Sequence, residues 1–283
     1  MTRSLFTQTE LPFLLVFNNK EEAAYYLNDM EQLVGEKDVL FYPASFRRPY
    51  QIEETDNANV LLRAEVLNRI NSRKKPAVIV TYPEALFEKV VTRKELDKNT
   101  LKVAVNDKIS IDFINEVLFE YEFKRVDFIT EPGEFSVRGG IVDVFSFSND
   151  NPYRIEFFGN EVESIRTFDV ATQLSIETKK KITIIPNVEN SFFQENRESF
   201  LDYISPQTVI FIQNTELLLA DLDKHFGKAE EAFAKLSQEI KRATPEQLFL
   251  NQASFIKRAL DFSVVEWRSE ERRVGKECVP SCR

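Results

Sequence analysis

The sequence predicts an α/β protein in which a parallel-sheet domain is interrupted by an inserted α+β domain carrying an antiparallel sheet. Three observations predict it. Short apolar runs alternate with amphipathic stretches over residues 11–83, the habit of strands joined by crossover helices. Strand-like runs then follow one another over 124–186 with no helix between them. A further apolar run at 207–214 leads into a long amphipathic stretch, and so few elements rarely close a core of their own. That last region is therefore expected to complete the first sheet.

In order, LPFLLVF (11–17) is a continuous apolar run and reads as a buried strand. Residues 19–35 read as an amphipathic helix, with Asn19 as N-cap and Gly35 as the stop. DVLFYP (38–43) and AVIVTYP (77–83) are two further strands, separated by a helix over 57–73 whose apolar residues recur three and four apart. After an amphipathic helix over 110–123, strands are expected at 124–130, 140–147, 153–158, 161–169 and 180–186. Gly159-Asn160 between two of them is a hairpin turn. A strand at 207–214, a helix over 215–242 and a short helical piece before Trp267 finish the chain. The domains so read are 1–104, 105–187 and 188–267.

Residues 268–278, RSEERRVGKEC, resemble an in-frame translation of a sequencing adapter, so 268–283 are set aside as an artefactual tail. Both cysteines, Cys278 and Cys282, fall in that tail. Without it the chain has no thiol chemistry and a single histidine, His225, which reads as a surface residue. Histidine-dependent triads and most transition-metal sites cannot be assembled from such a set. The tail holds five basic and three acidic residues, so 32 basic and 43 acidic side chains remain, a net charge of −11. That balance argues against a nucleic-acid surface over most of the chain. No apolar run is long enough to cross a bilayer and no signal segment opens the chain, so the address read is the cytoplasm.

Four of the seven glycines, Gly133, Gly139, Gly140 and Gly159, lie between 133 and 159 and mark tight turns. No phosphate-cradling glycine motif occurs anywhere in the chain. In YRIEFF (153–158), alternation places Tyr153, Ile155 and Phe157 on a core face and Arg154, Glu156 and Phe158 on the other. Pairing across the turn adds Glu161, Glu163 and Ile165 to the second face. A Phe beside an Arg on a polar sheet face suits a protein-docking hot spot, and it equally suits a second small core under a loop. FRRPY (46–50) reads as a solvated loop with some capacity for nucleic acid, the Lys179–Lys181 run as an edge guard, and the pairs Glu21-Glu22 and Glu53-Glu54 as solvated surface.

Residues 131–175, EPGEFSVRGGIVDVFSFSNDNPYRIEFFGNEVESIRTFDVATQLS, resemble the second domain of the transcription-repair coupling factor family. The family pattern runs E-P-G-x-F-x-V-R-G-G, D-x-F, P-x-R-I-E-x-F-G, I-x-S-I-R-x-F-D and T-Q-x-S, with Val162 standing at the first Ile of the fourth element. The likeness extends more loosely over 11–267. The excinuclease subunit UvrB shares the domain but places a P-loop domain before it, and residues 1–104 contain no P-loop. The resemblance implies an adaptor that binds UvrA through Arg138, Arg154 and Phe158, the guanidiniums pairing with carboxylates on UvrA and the ring filling an apolar pocket. Glu156 is a candidate to orient an arginine. The resemblance further implies RNA polymerase and DNA as partners, and ATP with Mg as cofactors, of motor parts outside this chain. No catalytic residue, metal or cofactor is expected within it. MTRSLFTQTE stands where the family has its first helix and strand, so the first domain is expected to be incomplete. The alternatives are a fragment of UvrB, a module binding DNA directly, and a structural clamp using the same face to hold a longer protein closed.

Overall fold

A computed structural model of the chain describes residues 6, 8–45, 57–72, 75–147, 149–187, 197–235 and 243–267. The adapter-like tail, the FRRPY loop, Glu53-Glu54 and residues 236–242 of the expected long helix lie outside them. The first sheet is five-stranded and parallel throughout. Its strands are β1 (Phe13–Val16), β2 (Val39–Phe41) and β3 (Val78–Thr81) from the first third of the chain, with β14 (Val209–Ile212) and β15 (Ser263–Glu266) from the last, in the order β15-β14-β1-β3-β2. Every residue of β1 and β3 is buried, which is why both read as unbroken apolar runs rather than alternating ones. β14 lies directly against β1, Phe13 opposite Val209, so the late strand completes the early sheet as expected. β15 was not foreseen. Asn19 caps the helix Lys20–Val34, its side chain accepting from Glu22 N at 2.9 Å, and Gly35 ends it at φ +108°.

Between these two groups the chain builds a six-stranded sheet, in the order β11-β10-β9-β8-β7-β6. The strands are β6 (Lys124–Arg125), β7 (Glu134–Arg138), β8 (Ile141–Val144), β9 (Tyr153–Phe158), β10 (Glu161–Phe168) and β11 (Ser175–Thr178). Its inner face, with Phe135, Val142, Val144, Ile155, Val162 and Ile165, is buried. The helix Ile111–Glu120 contributes Ile114 and Leu118 to the same core and sets Phe119 edge-on to Phe135 at 5.2 Å. Ser110 caps that helix, accepting from Phe113 N at 3.1 Å.

The middle of the chain departs from expectation in several places. No strand is expected between 130 and 140, where Gly133 and Gly139 mark tight turns, yet Glu134–Arg138 is an inner strand of the sheet. β11 was missed as well. The strand expected at 124–130 is two residues long and runs parallel to β7, because 126–131 peels away to cross the outer face. The run at 180–186 forms β12 (Lys181–Ile184), which leaves the six-stranded sheet and pairs antiparallel with β5 (Leu101–Ala104). Lys179 pairs with Glu177 at 2.6 Å where the edge strand β11 ends, and Lys181 opens β12. Finally, β4 (Val90–Val91) pairs with β13 (Arg197–Glu198), a link the sequence did not suggest.

The parallel-sheet half holds a buried ion pair. Arg63, with no side-chain exposure, sits 3.3 Å from Glu88, donates to Pro43 O at 2.9 Å and stacks 4.5 Å over the Tyr42 ring. Glu88 in turn accepts from Ser45 N and Oγ, the latter at 2.7 Å. These contacts tie the helix Asn57–Ser72, the exit of β2 and the helix Pro83–Phe87 together. His225 is not a bare surface residue, as had been read. Its side chain is 19% exposed, 3.6 Å from Glu84 and against Phe87. Removing one member of a buried pair strands the other in a dry site, so Arg63→Ala should cost about 3–5 kcal/mol in urea unfolding. A loss below ~1 kcal/mol would show that the pair is not insulated from water.

Candidate functional site: the outer face of the six-stranded sheet

The alternation expected of β9 holds. Tyr153, Ile155 and Phe157 are buried, while Arg154, Glu156 and Phe158 face outward. Phe158, at the end of β9 opposite Glu161, is 81% exposed, a large unburied apolar surface on a rigid strand. The Gly159-Asn160 turn beside it has φ +62° at its first position, where a type II′ hairpin requires glycine. Gly139 (φ +58°) occupies the equivalent place between β7 and β8. An added Cβ at Gly140 would lie 3.0 Å from the Phe157 carbonyl oxygen.

β7, unseen in the sequence, supplies Glu134, Ser136 and Arg138 to this outer face, and each holds part of the segment 126–131 across it. Glu134 accepts from Thr130 N at 2.8 Å, Thr130 Oγ1 at 3.0 Å and Glu131 N at 3.2 Å. Ser136 Oγ donates to Asp127 O at 3.0 Å, and Arg138 Nη1 to the same oxygen at 3.3 Å. Beneath this strap Ile129, Phe145 and Phe168 form a separate small core. The face thus holds a loop-covered core at one end and an exposed aromatic at the other. At Gly133, φ is +90° and a Cβ would meet the Phe147 ring at 2.8 Å, so the strap returns into β7 only through glycine.

Two of the three site residues from the sequence are joined through one carboxylate. Asp143 of β8, with 2% side-chain exposure, lies directly across from Arg154. It accepts from Arg154 Nε at 2.7 Å on Oδ1 and from Arg154 Nη2 at 2.9 Å on Oδ2. Arg138 Nη2 donates to the same Oδ2. Arg154 also donates to Gln173 at 3.1 Å and lies 4.2 Å over the Phe168 ring, and its side chain is 14% exposed. Arg138 is 39% exposed and stands 5.2 Å over the ring of exposed Phe128. Phe158 is four residues from Arg154 on the same strand face, so ~13 Å away along the strand. Glu156 does orient an arginine, but it is Arg166, at 2.5 Å, with Ser164 Oγ donating at 2.6 Å. The Ser164 bond and then Arg166 hold the Glu156 carboxyl below its usual range, against partial burial.

Asp143, Arg166, Gln173 and Phe128 were not picked out from the sequence. Asp143 did leave a trace, since an acid interrupting GIVDVF in a buried strand needs a cation partner. Ile165, expected on the outer face, is fully buried. A bulge at Glu163 lets Ser164 oppose Glu156 and Ile165 oppose Ile155, which returns the isoleucine to the core. Among the described residues, no group of three or more His, Cys, Asp or Glu is placed to hold a metal. No described helix is long and apolar enough to cross a membrane.

This mainly antiparallel sheet presents an Arg-Phe face, a composition that suits protein docking. Residues 101–189 match the family model described as the UvrB interaction domain. Curated relatives include transcription-repair-coupling factors. The one from Bacillus subtilis is 33% identical over 189 residues, 66% of this chain and 16% of that protein. Those from Rickettsia bellii and Staphylococcus aureus are 30% and 29% identical over 70% and 65% of this chain. The chain is thus related to the transcription-repair-coupling factors, and it spans 16% and 18% of the length of the first two relatives it matches.

Burial alone would raise the Glu134 carboxyl, but the bonds from Thr130 and Glu131 outweigh it and hold the group below its ordinary value of 4.5. A carboxyl depressed in the folded state stabilises fully above the unfolded value and loses that contribution as pH falls through the folded one. Glu134→Gln should therefore cost about 1–3 kcal/mol at neutral pH, as for hydrogen bonds to a charged group. The gap to the unsubstituted chain should close in acid. Urea unfolding across that range tests this, and a gap constant with pH would refute it.

Proposed function

We propose that this chain is an adaptor that docks on UvrA through the outer face of the six-stranded sheet and so brings damage recognition to stalled transcription. The observation that carries the reading is Phe158, exposed on a strand end of the same sheet face that holds a pair of guanidiniums on Asp143. Aromatic and arginine anchors dominate protein interfaces, and rigid ones lose little freedom on docking. The match to the UvrB interaction domain and the name of the relatives support the same reading. In it the described residues perform no catalysis and hold no cofactor. RNA polymerase contact, DNA contact and ATP-driven translocation with ATP and Mg belong to other parts of a longer protein, working in the cytoplasm.

The test is calorimetric titration of UvrA into the whole 283-residue chain. Phe158→Ala removes an exposed ring, so it should leave the melting temperature unchanged while weakening UvrA binding by ~2 kcal/mol or more. Arg154→Ala should weaken it too. A folded chain that binds no UvrA would overturn the adaptor reading and leave a structural clamp as the better account of the face.

A further inference from the structure

We propose that Asp143 is the positioning residue of this docking face, that Arg154 is its fixed partner, and that Arg138 is the arginine handed to an acidic group on the partner. The inference rests on the docking reading above and divides the roles within it. Arg154 is already engaged. Two of its bonds close a fork on Asp143, a third goes to Gln173, and one face of its guanidinium is covered by Phe168. At 14% exposure it has little left to offer a partner. Arg138 is held only along its inner edge, by Asp143 and the Asp127 carbonyl, and remains 39% exposed.

The charges make the exchange feasible. Asp143 serves two guanidiniums, so the trio carries one positive charge that no member compensates. A partner carboxylate approaching Arg138 competes with Asp143 for it. Asp143 can yield, because both its oxygens keep their bonds to Arg154 and no buried charge is stranded. Arg154 could not be drawn away on the same terms, since leaving would strip Asp143 of its fork. Phe128 under Arg138 gives the partner carboxylate an apolar flank beside which a guanidinium pair is strengthened.

A double-mutant cycle on UvrA affinity in the whole chain tests this. Asp143→Asn and Arg138→Ala should each weaken binding by about tenfold or more, and the double variant should bind no worse than Arg138→Ala alone. If Asp143→Asn costs as much with Arg138 absent as with it present, Asp143 acts only on the fold and the proposal is overturned. The same holds if Asp143→Asn binds as the unsubstituted chain does. Should the asparagine variant not fold, Arg154→Lys replaces it in the cycle, keeping the charge but giving up the fork. Lack of coupling to Arg138 there would equally overturn the proposal. Failure of the adaptor reading looks different, because Arg138→Ala and Phe158→Ala would then both leave UvrA affinity unchanged.

Discussion

The outer face of the six-stranded sheet is organised around a carboxylate that cannot be left alone. Asp143 is almost wholly enclosed, and an unpaired charge in such a place costs several kcal/mol. Its position opposite Arg154 in the β8–β9 register supplies the first counter-ion, and Arg138 at the end of β7 supplies the second. Three neighbouring strands are thereby tied by side chains as well as by their backbone ladders. The same requirement explains why this face is neither an ordinary solvated surface nor an apolar core. Its cations are anchored on Asp143, and Phe128 and Phe158 on the same face are left uncovered.

The interrupted architecture has its own physical logic. The chain enters the middle domain through β5 and leaves through β12, and these two strands pair with Leu101 opposite Ile184. Entry and exit are therefore side by side, the condition under which a domain can be inserted without disturbing its host. The host sheet closes because β14 settles against β1 rather than at an edge, and β15 extends it on the same side. Until residues 209–212 arrive β1 has a partner on one side only, so the first third of the chain does not complete the five-stranded sheet by itself.

Much of this was legible in the residues. β1 and β3 are buried on both faces and so appear as plain apolar runs, and the caps at Asn19 and Gly35 follow from local chemistry alone. The face of β9 carrying Arg154 and Phe158 was legible because alternation is strictly periodic. β7 was not. EPGEFSVRGG is dense in turn residues at both ends, and the short stretch between them alternates with Glu134 and Arg138 outward, which resembles loop composition. Asp143 was hidden for a related reason, because its importance lies in what stands across the ladder and not in its neighbours along the chain.

The least legible feature is also the one on which the composition of the face turns. An uninterrupted β9–β10 ladder would set Glu163 opposite Glu156 and Ile165 opposite Arg154, placing an isoleucine outside and Arg166 within the core. The extra residue at Glu163 shifts the strand by one, and every side chain after it changes face. What holds the bulge is not in the hairpin at all. Asn106 N donates to Val162 O at 2.8 Å, and Val162 N donates to Asp107 O at 3.0 Å, so the turn that follows β5 takes up both backbone groups at the bulge. The entry strand of the domain thus determines which arginine meets Glu156 some sixty residues later, a count fixed by Asn106 and Arg166 themselves. A pattern that depends on a distant turn cannot be extracted from strand periodicity, which assumes that the ladder is unbroken.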